Sequence, residues 1–472
     1  MASCRTCPRS RGISRRHFLA AAGAAAAATK MGVFDFASSL FAQEATKPAG
    51  GPVVRVVYVR PEKEPIVSWP GGNCDVPAQQ ALFTKTLQDA AKTLGIELQV
   101  RNEPLYKPED VAALLEDLKK SPPDGLIVGA MSLFLWKPVN EIVAKRGDVP
   151  TIVYSHVSGF TSHLQLARNT AKTYLGATQD IGWLAFALRM FHTTWRLRNT
   201  RILVLRQPGP DATLKAWGTT LHPIAKARFP EELKKVEESD EVRAMADLYA
   251  KQADKVVEPT KEEILTAAKN YITCRRLMEA EKCQAISIDC LGWKDPVCLA
   301  FSRLLDDGIP AVCECDQNAM IGELLTISLF NRAGFIQDPS PNTVNNTLIG
   351  AHCTSPLKLE GIDKDYRAPY MLRSYHTRTG CSVQALWPVG REVTVLHANA
   401  GGPSMWVGTG KVRSNIAQPP TGCCRTAVEL ELDRCNDSRD VKGFHQLFIL
   451  GNHERMFRAY AQLAGLQVAP IA

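Results

Sequence analysis

The chain has 472 residues, 45% of them apolar and 22% charged, the composition of a globular protein long enough to bury more than one core. Its formal charge is +8, but residues 1–50 hold seven Lys and Arg against two acids, so the remainder carries only +3. That small excess excludes an electrostatic case for nucleic acid or an anionic membrane as partner.

The basic character belongs to the first segment. Ser14-Arg15-Arg16-His17-Phe18-Leu19 precedes the alanine-rich run Ala20–Ala28, and this paired arginine ahead of a short, weakly hydrophobic stretch resembles a twin-arginine export signal. The run is shorter than the ~20 residues a membrane-spanning helix needs. Cleavage near Ala42 and retention as an anchor both stay open, because Leu40 stands where a small residue is usual. Residues 1–50 are therefore expected to be signal and linker, and the protein is expected to be periplasmic or otherwise exported, already folded and carrying its metal.

From Gly51 onward, strands and helices alternate. Val53–Val59 reads as a strand, Pro77–Leu94 as an amphipathic helix, Ile96–Val100 as a strand, Lys107–Lys120 as a helix, Gly125–Ala130 as a strand, Val139–Arg146 as a helix and Thr151–Tyr154 as a strand. Such alternation implies a doubly wound parallel sheet, assigned to residues 51–175. A second cycle, residues 176–350, opens with a long helix, Ala177–Arg196, expected to bridge the domains. The strand Arg201–Leu205 follows, then helices Val242–Ala253 and Lys261–Glu281, the strand Ala285–Asp289, the helix Val297–Asp307 and the strand Ile309–Cys313. Past Gly350 short β-rich pieces take over: Ser382–Trp387, Glu392–His397, Met405–Gly408 and Ala427–Leu432, closed by the helix Glu454–Ala464. The expected fold is α/β, with two Rossmann-like doubly wound domains followed by a mainly β C-terminal domain over 351–472.

Fourteen cysteines is a high count, and two, Cys4 and Cys7, fall in the leader. No later pair has C-x-x-C spacing, so a zinc ribbon is not indicated. Cys313 and Cys315 flank Glu314, and Cys353 follows His352. Buried thiols acting as small hydrophobes account for such residues, with a soft cysteine-rich metal site as the alternative.

Two carboxylates 24 positions apart, Glu314 and Asp338, and a distant His445 carry the chemistry. Between the acids the chain reads strand, helix (Gln317–Phe330), strand (Gly334–Gln337), which would set both at the carboxyl ends of neighbouring parallel strands, where open α/β sheets keep their ligand crevices. That arrangement suits one shared divalent cation. Either acid alone has an ordinary structural reading, Glu314 as an ion-pair partner and Asp338, before Pro339, as a turn residue.

The run Gly308–Asp316, the segment ending at Asp338, His352-Cys353-Thr354-Ser355-Pro356 and Gly443-Phe444-His445-Gln446 through His453 together resemble the L-fucose isomerase and L-arabinose isomerase superfamily, in particular its divergent fucose isomerase-like members. The resemblance covers roughly Val53 to the end and is strongest in the last 170 residues. It implies two Rossmann-like domains and a β domain, one Mn²⁺ or Mg²⁺ held by Glu314, Asp338 and His445, and catalysis by Glu314 and Asp338, which would move protons between a sugar's first two carbons through an ene-diol. Two carboxylates and an imidazole suit such an ion and leave positions for two substrate oxygens and a water. A trimer or hexamer is also implied. His352 and His376 would stand by the sugar. The chain departs from the family at His376-Thr377-Arg378-Thr379-Gly380, where relatives often show His-Phe-Glu-Ser-Gly.

Aromatic rings that would stack on the sugar are Trp69, in the loop Ser68–Asn73, and Trp293; core packing is the alternative for each. The expected activity is aldose–ketose isomerisation of a small-molecule sugar. The alternative of another class is a periplasmic sugar-binding protein that kept the cleft and lost turnover, and a metal-dependent hydrolase or lyase would use the same residue types.

Overall fold

The computed structural model describes residues 50–63, 66–67, 73–156, 165–293, 296–417 and 422–472. The leader and Trp69 lie outside the described residues. The chain begins with β1 (Val53–Val59), a short antiparallel pair β2 (Ile66–Val67) and β3 (Asn73–Cys74), then α1 (Val76–Leu94), β4 (Glu97–Val100), α2 (Pro108–Lys120), β5 (Gly125–Ala130), α3 (Trp136–Lys145), β6 (Thr151–Ser155), α4 (Gln165–Asn169), β7 (Thr173–Ala177) and α5 (Trp183–Arg198). A parallel sheet forms in the order β4-β1-β5-β6-β7. Because successive side chains point to opposite faces, Val54, Val56 and Tyr58 of β1 join one core with α1 and α5, while Val57 and Val59 join another with α2 and α3. A sheet covered on both faces needs such apolar runs. Thr173–Ala177, read from sequence as loop and the start of a helix, is the fifth strand of this sheet.

The second α/β layer contains β8 (Arg201–Arg206), β9 (Ala212–Leu214), β10 (Thr219–Ala225), α6 (Arg228–Leu233), α7 (Asp240–Gln252), β11 (Lys255–Val256), α8 (Lys261–Ala280), β12 (Ala285–Ile288), α9 (Cys298–Asp306), β13 (Ala311–Cys313) and α10 (Gln317–Phe330). Its sheet runs β13-β12-β8-β10-β9, parallel except for β9. The bridging role expected of α5 holds in part of its length: Phe186 stacks on Phe330 at the end of α10, and Thr194 shares a hydrogen bond with Tyr460 far downstream. Helix α10 is buried from Ala319 to Leu329 on every side, as a helix apolar all round must be.

The remainder comprises β14 (Phe335–Asn342), β15 (Thr347–His352), β16 (Tyr370–Arg373), β17 (Ser382–Ala385), β18 (Glu392–Asn399), β19 (Ser404–Asn415), β20 (Thr426–Leu432), β21 (Gln446–Leu450), α11 (Glu454–Ala464) and β22 (Gln467–Pro470). Strands β18-β21-β14-β15-β20-β19 close on themselves through β18–β19, with β22 added to β19, while β11, β16 and β17 form a small separate sheet. The fold is thus α/β with two parallel-sheet layers and a mainly β C-terminal part that includes a closed barrel. Among the described residues no helix is long and apolar enough to cross a membrane.

One expectation is corrected here. The stretch Gly334–Gln337 is not a parallel neighbour of the Glu314 strand: it opens β14, which pairs antiparallel with β15 and β21 inside the barrel. The strand-helix-strand pattern is the same in either case; what decides is that α10 lies between the second sheet and the barrel, so the chain leaving it enters a new sheet. The mainly β part accordingly begins at Phe335, ahead of the expected boundary at 351.

Leu447 of β21 joins these layers. It is 1% exposed and lies against Gly322 of α10 and Gly334. Leu447→Ala is expected to cost about 2–5 kcal/mol by cavity formation, read as a lower urea midpoint; a loss below about 1 kcal/mol would show that α10 and the barrel do not depend on each other there.

Candidate functional site

Three segments distant in sequence end at one place. Glu314 follows the last residue of β13 and still donates its N–H to Ile288 O at 2.8 Å, after which the backbone turns left-handed at Glu314 (φ 62°) and Cys315 (φ 55°). Such non-glycine conformations cost about 1–3 kcal/mol each and persist where the surroundings enforce them. Asp316 does so: its Oδ1 accepts from Ala319 N at 2.7 Å as the N-cap of α10.

Asp338 and His445 meet because of strand register. The last pair between β14 and β21 is Gln337 with Gln446, so Asp338 and His445 are the first residues beyond the paired ladder. Pro339 and Pro341 have no N–H to offer a partner, which suits the half of β14 that has left β21. His445 is also left-handed (φ 53°), and Gln446 Nε2 holds its turn by donating to Lys442 O at 2.7 Å and Gly443 O at 3.3 Å. Gly443 (φ 87°) permits that turn, since a Cβ there would fall 2.3 Å from the His397 ring.

At the centre, His445 Nε2 lies 3.0 Å from Asp338 Oδ1 and 3.6 Å from Glu314 Oε2, while Nδ1 lies 3.0 Å from Asp316 Oδ2. His352 Nε2 is 3.7 Å from Glu314 Oε1, and its Nδ1 is 3.2 Å from Thr354 Oγ1. Ligand atoms of Glu314, His352 and His445 all fall within 4.8 Å of one another. The contact between His445 Nε2 and Asp338 Oδ1 is short yet not aligned as a hydrogen bond, and neither buried atom has a hydrogen-bond partner among the described residues. Asp338 is not in that group and reaches it through His445. The 3.0 Å spacing of His445 Nε2 and Asp338 Oδ1 equals that of adjacent donors about 2.1 Å from a six-coordinate cation.

Burial disfavours charge on His445, but Asp316 and Asp338 outweigh it and hold its pKa up at about 9. For Asp338 burial likewise disfavours the charged form, and the imidazoles of His445 and His352 reverse that, keeping its carboxyl below the usual range. Without a cation, one proton therefore sits on His445 among three carboxylates.

Of the residues expected to carry function, Glu314, Asp338, His445 and His352 are together, although the two acids come from different sheets. His376 belongs to a neighbouring group: its ring lies 3.7 Å from that of Tyr375, and its ligand nitrogen falls within 4.8 Å of the Cys353 and Cys424 sulfurs. Trp293 is half-buried, with the Phe229 ring at 5.1 Å and the Lys226 ammonium 5.4 Å from its own ring. Asp316 was missed as a functional residue. Its signal is an aspartate just ahead of a helical run and two positions from Glu314, which reads as a cap; that its second oxygen orients a histidine 129 positions away is not visible in sequence.

The raised pKa of His445 makes a signed prediction. The favourable pairing is fully present below the unfolded histidine value of about 6.5 and is lost as pH rises through about 9. Metal-free protein is expected to lose denaturation stability across that window in chelator. Asp316→Ser keeps a cap but removes the carboxylate, so it should flatten the loss and lower the His445 pKa seen by NMR; an unchanged titration would deny Asp316 its hold on the ring.

No family model matches the chain, and no curated protein matches it. Among solved structures, an ABC transporter periplasmic solute-binding protein from Actinobacillus succinogenes 130z with bound D-allose is similar at 12% identity and a TM-score of 0.19, over 59% of this chain and 91% of that one. A carbohydrate transporter from Acidothermus cellulolyticus 11B in complex with myo-inositol is similar at 12% identity and a TM-score of 0.20, over 60% and 89%. Likeness of this degree bears on neither ligand nor activity.

Proposed function

We propose that this chain is an exported, metal-dependent sugar isomerase-like enzyme that interconverts an aldose and a ketose. The observation that supports the reading is the meeting of Glu314, Asp338 and His445 from two different sheets, with His445 Nε2 and Asp338 Oδ1 paired at 3.0 Å outside hydrogen-bond geometry. The donor set, carboxylate oxygens with imidazole nitrogen, fits Mn²⁺ or Mg²⁺. Glu314, Asp338 and His445 would hold the ion, with His352 as a further donor.

When bound, such an ion stabilises negative charge developing on two adjacent sugar oxygens. The chain supplies the rest. Asp316 keeps the Nδ1–H of His445 on itself and leaves Nε2 free to face the cation, the role outer carboxylates play for metal-bound histidines. Asp338 is ionised and 42% exposed at the open edge of β14, where a substrate has access. Glu314 and Asp338 would pass a proton between the sugar's first two carbons through an ene-diol.

The second reading is a periplasmic sugar-binding protein without turnover. It agrees with the ligands recorded in the two solved structures, D-allose and myo-inositol, whose likeness to this chain carries no weight by itself.

Mn²⁺-loaded protein incubated with a panel of aldoses and ketoses and followed by NMR is expected to interconvert one pair. Glu314→Gln should lower that turnover about 10²- to 10⁴-fold. Sugar binding without interconversion by the wild type would replace the enzyme with the binding protein. Because a cation must displace the proton on His445, Mn²⁺ affinity should weaken as pH falls below about 9, with proton release on binding read by calorimetry in buffers of different ionisation enthalpy. Affinity independent of pH would remove His445 from the ligand set.

A further inference from the structure

Beside the carboxylate–imidazole cluster stands a group of different chemistry. Strands β15 and β20 pair His352 with Thr426, so the chain just past β15 and just before β20 lies side by side. This places Cys353 next to Cys424, and His376 closes the group, with all three ligand atoms mutually within 4.8 Å. Cys353 is buried and the other two are partly open. Cys298, buried at the start of α9, packs in one cluster with Cys353 and Tyr375.

We propose that Cys353, Cys424 and His376 form a second metal site, one for a thiophilic cation, Cu⁺ or Zn²⁺. Two sulfurs and an imidazole nitrogen are the donors such ions select over Mn²⁺ or Mg²⁺. Three donors satisfy Cu⁺ in a trigonal site; Zn²⁺ takes four, and Cys298 is the sulfur already packed in one cluster with Cys353.

The segments carrying the donors are braced against each other. Arg425 is fully buried and donates from Nε to Ser374 O at 2.7 Å and from Nη2 to Tyr375 O at 3.2 Å, while Gly422 N donates to His376 O at 3.1 Å. The loop of His376 is thereby fixed to the segment of Cys424, as ligand-bearing loops of preorganised sites are. Cys424, partly open, packs against the buried Cys353 and Cys298. A bound cation would supply the positive charge that two adjacent thiolates require.

The site does not depend on the isomerase reading, and its test separates the two. Full-length protein, reduced and stripped with chelator, would be titrated with Co²⁺, whose thiolate complexes show a near-ultraviolet charge-transfer band, and then with Zn²⁺ or Cu⁺ in competition. One equivalent producing the band is expected. Cys424→Ser, at a partly open position, and His376→Gln should each weaken binding about 10-fold or more. Asp338→Asn should leave the band intact while removing Mn²⁺ from the other cluster. Displacement by Cu⁺ alone identifies the trigonal ion, and displacement by Zn²⁺ that Cys298→Ser abolishes identifies the four-coordinate one. Absence of the band, a band unchanged in Cys424→Ser, or a Cys353–Cys424 disulfide in unreduced native protein would each overturn the proposal.

Discussion

The pairing of Gln337 with Gln446 is the constraint on which the candidate site depends. It fixes where β14 and β21 part, and that point brings Asp338 and His445 side by side. The pair is anchored in the barrel interior: Gln337 Nε2 donates to Gln446 Oε1 at 3.1 Å, and both residues are completely buried. A slip of one residue in either strand would turn its side chains to the opposite face and dissolve the cluster. Asp316 then ties the barrel to the second parallel sheet, because one oxygen caps α10 and the other holds His445. Sheet, helix and barrel thus converge on one carboxylate.

The positions of backbone strain follow the same logic. Glu314, Cys315 and His445 are left-handed without being glycine, and two of the three contribute to the cluster. Each turn occurs where a strand must end abruptly to present a side chain rather than continue its ladder. The caps and hydrogen bonds around them, Asp316 on α10 and Gln446 on the 442–443 carbonyls, are what keep these conformations populated.

Much of the fold was legible because its elements carry strong local signals. β1, β5, α10 and α11 were read to the residue, since each is a continuous apolar or periodic run with clear ends. Among the strands missed are β7 and β10; Thr173–Ala177 is only five residues long and contains a glycine, and Thr219–Ala225 contains a histidine and a proline. The cluster was legible only in part. Glu314, Asp338 and His445 stood out by residue type and resemblance, but their geometry was assigned to two parallel strands. Local pattern cannot tell whether the strand after a helix returns to the same sheet; tertiary packing of α10 against the barrel decides that. Likewise, Cys353, His376 and Cys424 are scattered in sequence and become neighbours only through the β15–β20 register.

Two donor sets of opposite character therefore sit together where the barrel meets the second sheet, carboxylates and imidazoles on one side and thiols with an imidazole on the other. The most direct measurement is crystallographic: diffraction from Mn²⁺-grown crystals collected on both sides of the manganese absorption edge. One anomalous peak about 2.0–2.4 Å from a Glu314 oxygen, an Asp338 oxygen and His445 Nε2 is the expected result. A protein that crystallises with Mn²⁺ yet shows no peak there, with His445 still hydrogen-bonded to Asp316 and paired with Asp338, would contradict a shared cation.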